Sequence, residues 1–188
     1  MASGVLKKID EFSVTSEIAS VTIGGGSNAS SGTNAVIDNS YNVYMFTFND
    51  VVCATDDKNL LFQLNKASDN SIDSTSNYDS SGAIMTDNSG TLTAFYGADQ
   101  SAPTFASSQG TSTGEAAAGT FYLFQFSESA QYSFWTVDTV YVDKTPNQRS
   151  YTGGAKQSVE QATNGITMTW EDNANFADGH FVLYGLDS

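Results

Sequence analysis

Nucleophilic chemistry in these 188 residues is bounded by one histidine, His180, and one cysteine, Cys53. A Ser-His-acid or Cys-His relay would have to pass through His180, which stands in Gly179-His180-Phe181 at the start of an apolar segment. No serine is expected in a nucleophile elbow, the Gly-x-Ser-x-Gly turn that carries a strand into a helix. Cys53 lies in Val51-Val52-Cys53-Ala54, an apolar setting that raises a thiol pKa and leaves it inert. One His and one Cys exclude a His-based zinc site. Both residues read as structural, and the catalytic set is expected to be empty.

Carboxylates are plentiful, at 21 Asp plus Glu. A glycosidase-like pair would draw on strand acids such as Asp138 and Glu171. Asp138 falls inside an alternating segment, so it reads as a polar-face residue instead. Asp56-Asp57, Asp69-x-x-x-Asp73 and Glu171-Asp172-Asn173 with Asp178 gather oxygens of the kind a calcium ion takes. None has the Asp-x-Asp-x-Asp-Gly loop with a terminal Glu, and solvated turns explain them equally well. No metal or cofactor is therefore expected. Tyr41, Tyr78, Tyr96, Tyr132, Tyr141 and Tyr151 could form a sugar-binding platform, with core or subunit interface as the alternative.

Composition limits the partners. Seven Lys plus Arg cannot neutralise a phosphate track, and with a net charge of −14 the chain is suited neither to nucleic acid nor to an anionic membrane surface. No apolar run approaches the ~20 residues of a spanning helix, and the N-terminus lacks a signal-peptide core. A lone cysteine forms no intrachain disulfide, consistent with synthesis in a reducing compartment.

These groups must be positioned by strands. Ser, Thr, Asn and Gly make up 40% of the chain, so its wet surfaces cannot be those of long helices. Two-residue alternation marks Ile18–Ile23, Tyr41–Asn49, Leu60–Leu64, Thr91–Tyr96, Phe121–Phe126, Ser133–Val142, Ile166–Trp170 and Phe181–Tyr184. The expected fold is all-β, an antiparallel sandwich of jelly-roll type with eight or nine strands, forming a single domain over 1–188 with its core in 5–186. Long loops are expected at 24–38 and 97–120. The expected core comprises Phe46, Phe48, Phe62, Leu64, Phe124, Phe126, Trp135, Met168, Phe181 and Leu183.

A family resemblance rests on the order of several motifs. Tyr41-x-x-Tyr44-x-Phe46 leads to Thr55-Asp56-Asp57-x-x-Leu60-x-Phe62-x-Leu64 and Thr75-Ser76-Asn77-Tyr78-Asp79. Tyr122-Leu123-Phe124 follows, and Gly179-x-Phe181-x-Leu183-Tyr184-Gly185 closes the chain. Over roughly residues 5 to 186 this order resembles a small jelly-roll module of tailed-bacteriophage virions. That module occurs as standalone structural proteins and as the end domain of fibres. The chain departs from the family by inserting Gly24 to Asp38 between two N-terminal strands.

The resemblance implies a non-enzymatic structural protein on the virion exterior, made in the host cytoplasm without a signal peptide and decorating or cementing the capsid. The implied partners are the major capsid protein or other virion proteins, with a homo-oligomer, a trimer, as the working form. The alternatives are a tail-fibre module binding a host-surface glycan and a free lectin-like domain. Neither nucleic acid nor membrane is an expected partner.

Overall fold

A two-residue period alternates side chains between faces, and in the computed structural model, which describes residues 5–88 and 90–186, that period sorts most of the large apolar residues inward. Twelve strands form: β1 (Leu6–Ser13), β2 (Ser20–Gly24), β3 (Val43–Cys53), β4 (Lys58–Lys66), β5 (Tyr78–Thr86) and β6 (Leu92–Gln100), then β7 (Thr104–Gln109), β8 (Ala117–Phe124), β9 (Phe134–Val142), β10 (Gln148–Gln157), β11 (Thr163–Trp170) and β12 (Phe176–Leu186). They make two antiparallel sheets, one of eight strands in the order β1-β12-β3-β8-β9-β10-β5-β6 and one of four in the order β2-β11-β4-β7. The arrangement is a β-sandwich.

Aromatic residues dominate the core between the sheets. Phe62 of β4 stacks on Phe121 of β8 at a centroid distance of 4.7 Å, and Phe105 of β7 meets the same ring edge-on at 5.1 Å. Trp135 of β9 lies 5.3 Å from Phe62. Phe46 and Leu183 are opposite neighbours on β3 and β12, both wholly buried. Each such side chain contributes about 1.5–3 kcal/mol by leaving water.

Three expectations change. Twelve strands replace eight or nine, because β1, β5, β7 and β10 carry Lys, Ser and Gly where alternation would show apolar residues. The segment 97–120 is not a long loop, since it holds β7 and the start of β8. Phe124 is half-buried, while Phe121, Leu123 and Phe126 are buried. Gln125 takes a positive φ of 60°, which ends β8 and shifts the parity, so that Phe126 turns inward and Phe124 does not. The other nine expected core residues are buried.

The 24–38 segment does lie between strands, and it is fastened to the sandwich. Gly25 and Ile37 donate backbone N–H to Asn164 O at 2.8 and 2.7 Å, and Ser30 N–H bonds Thr22 O at 2.8 Å. Gly24 N–H reaches the buried Asp10 carboxylate at 2.8 Å.

Candidate functional site

The histidine finds a serine and an acid beside it. On the outward face of the larger sheet, His180 of β12 pairs in register with Ser13 of β1. Ser13 Oγ lies 2.9 Å from His180 Nδ1, and Glu11 Oε1 lies 3.4 Å from Nε2. The composition is that of a relay, but Glu11 is also bonded to Lys8, and Ser13 stands exposed on an edge strand. The chain does hold one Gly-x-Ser-x-Gly string, Gly110-Thr111-Ser112-Thr113-Gly114, but it joins β7 to β8, two strands, so no helix backs Ser112. Cys53 is buried, and that burial pushes its thiol pKa up.

The carboxylates do not assemble. Asp138 points outward from β9, in register with Thr120 of β8 and Thr152 of β10, away from the smaller sheet from which Glu171 extends. In each of the three calcium-candidate stretches a carboxylate is already engaged. Asp57 pairs with Lys144, Asp172 with Lys58 at 2.7 Å, and Asp69 accepts from Ser71 N–H at 3.0 Å. Among the described residues, no three of His, Cys, Asp and Glu gather as metal ligands.

An unanticipated polar device appears twice. Asp73-x-Thr75-x-Asn77 precedes β5 and Asp143-x-Thr145-x-Asn147 precedes β10, the two strands being sheet neighbours. Each buried Asp accepts from the N–H and hydroxyl of the Thr two residues on. Asp73 also takes Gln157 Nε2 at 2.6 Å and Gln161 Nε2 at 2.8 Å, tying β5 to β10 and to the approach to β11. Arg149 Nε stands 2.7 Å from Asp143 Oδ2. Burial alone would raise both carboxyls; the bonds from Thr75 and Asn77, and from Thr145 and Asn147 with Arg149, outweigh it and hold both below the usual range. The repeated spacing is visible in the sequence and is the signal for this device.

The six tyrosines disperse. Tyr78, Tyr141 and Tyr151 are core residues, with burial raising Tyr151 to about 12. Tyr96 and Tyr132 are exposed and Tyr41 is half-buried, so no single platform forms.

Two surfaces remain. The first is the outward face of the eight-stranded sheet, which no layer formed by the described residues covers. Cross-strand register lays down rows such as Ala118, Val140, Ser150, Met85 and Leu92, running from β8 to β6. From β8 to β5 this face carries only Asp138 and the Asp79–Lys156 pair as charges. A shallow groove of about 540 Å³ crosses it, lined by Thr47, Ala118, Asp138, Val140, Thr152 and Met85.

The second is a cleft of about 580 Å³ at one end of the sandwich, lined by Tyr41, Phe124, Asn42, Gln125, Gln131 and Glu128 among others. Its wall is braced by Tyr44, whose hydroxyl lies 2.8 Å from Asp38 O and 2.9 Å from Asp38 Oδ1. Burial raises Tyr44 to about 12, so the hydroxyl keeps its proton as a donor. Aromatic rings, amides and one acid without a cation can hold a neutral polar ligand and disfavour an anion.

Compared with protein-family models, curated proteins and solved structures, the chain matches none.

Proposed function

We propose that this chain is a non-enzymatic jelly-roll module that decorates the head of a tailed-phage particle, docking by surface contact. One observation carries the proposal: the pairing scheme that remains once the hairpins β5–β6 and β9–β10 are set aside. The eight other strands then pair first with last, β1 with β12, β2 with β11, β3 with β8 and β4 with β7. That pattern supports reading the chain as one long antiparallel hairpin rolled into two sheets, the scheme of capsid and lectin jelly rolls. The two added hairpins widen one sheet to eight strands and give the module a broad, charge-poor outward face. Such a face suits protein contact in an otherwise acidic molecule. Fold analogy supplies the class, and the ordered motifs from Tyr41 to Gly185 supply the virion setting.

Sedimentation with emptied phage heads tests this reading. Saturable pelleting with the heads, weakened by Val140→Lys and Met85→Lys on the open face, supports it; protein that stays in the supernatant at every ratio refutes it.

The end cleft favours a second reading, attachment to a neutral host-surface glycan. Binding of uncharged oligosaccharides on a glycan array, lost in Asn42→Ala/Gln131→Ala, would select it over decoration.

A further inference from the structure

Two sheets leave four terminal strands, and an unpaired strand edge is a template for another strand unless it is blunted. Three of the four are blunted here. β1 carries Lys7, Lys8 and Glu11 and breaks register between Lys8 and Asp10. β2 is closed by the loop that follows it, through Ser30 N–H to Thr22 O and Thr22 N–H to Ser30 Oγ, 2.8 and 2.9 Å. β7 is capped by Thr139 Oγ1 on Phe105 O at 2.7 Å and Lys144 N–H on Ser108 O at 2.9 Å.

β6 has no such device over Leu92–Gly97; its register shifts only beyond Gly97, toward Gln100. Leu92-Thr93-Ala94-Phe95-Tyr96-Gly97 holds no Lys, Arg or Pro, pairs in unbroken register with β5 from Gly97 to Leu92, and ends its sheet. Among the described residues, nothing is bonded along its far side. Leu92 is 65% exposed and Tyr96 84%, the two highest values among the large apolar side chains of the described residues.

We propose that β6 pairs antiparallel with β6 of a second copy of this chain, joining two sandwiches about a twofold axis. Charge selects the occupant. In a molecule of net charge −14, two copies approach with least repulsion through a contact that carries no charge, and Leu92 to Gly97 carries none. Pairing centred on Ala94 sets Leu92 of each copy opposite Tyr96 of the other, on the outward face, and Thr93 opposite Phe95 on the inward face. Asp99 falls outside the paired span, so no like charges oppose. A self-complementary patch of this kind closes after two copies. The inference replaces the expected trimer with a dimer and does not depend on where the protein docks.

Sedimentation velocity of the full chain over a concentration series is the test, with amide hydrogen exchange alongside. The expected result is a species of twice 20.0 kDa, with exchange of the Leu92–Gly97 amides slowing as concentration rises. The double variant Leu92→Lys/Tyr96→Lys, both sites being on the surface, is expected to run as a monomer with an unchanged unfolding midpoint. A wild-type monomer at every concentration, a trimer, or a dimer that survives both lysines overturns the proposal.

Discussion

Tyr41 packs against the bare backbone of Gly185: a Cβ at that glycine would stand 2.5 Å from Tyr41 Cδ2. The contact joins the first and last of the ordered motifs and sets one wall of the end cleft, with Tyr41 edge-on to Tyr44 at 5.6 Å.

Gly185→Ala is therefore expected to push the Tyr41 ring out of place and cost about 1–3 kcal/mol, as overpacking does. Denaturant unfolding measures it. An unchanged midpoint would mean that Tyr41 yields freely and does not define the cleft.

Phe46 and Leu183 test the sheet register. Each is wholly buried and they face one another across β3 and β12. Phe46→Ala and Leu183→Ala should each cost roughly 2–5 kcal/mol. Because the two share a site, the double variant should cost less than the sum, and strict additivity would place them apart.

Acid should attack the Asp73 and Asp143 turns. Their folded pKa values lie below the unfolded value of about 4, so the stability they give is full above that pH and is lost as pH falls through the folded values. Asp73→Ala should lose about 1–3 kcal/mol at neutral pH, because Gln157 loses its buried acceptor. The variant should also show a flatter fall below pH ~4. A parallel fall in wild type and variant would assign the acid sensitivity to other carboxylates.

Ser13, His180 and Glu11 are expected to do no hydrolysis. A fluorophosphonate probe of serine nucleophiles should leave Ser13 unlabelled. Labelling that disappears in His180→Ala would make this row a working relay.

Sequence alternation exposed β3, β9 and β11 because their large residues face one dry interior. It hid β5 and β10 for a physical reason. Gly82 and Gly153 sit in register under the Tyr151 ring, and a Cβ on Gly82 would come within 2.9 Å of it. Strands that make room for a ring carry Ser and Gly, which read as loop. β1 was masked by the charges that protect its edge, and β7 by its Ser-Ser-Gln ending. Tyr141 shares the face of Trp135 in its alternating segment, a sign of burial, whereas Tyr78 and Tyr151 carry no such sign and are placed inside by tertiary packing. The twofold Asp-x-Thr-x-Asn spacing was legible, but its role depends on Gln157 and Gln161, more than 80 residues from Asp73.

The central claim is decoration of a phage head by contact, and a reconstruction of the intact particle tests it most directly. The account predicts density for a twelve-stranded sandwich at symmetric positions over the head, with its eight-stranded sheet against the shell. Density confined to the tail tip, or a particle that carries none of this chain, would contradict it.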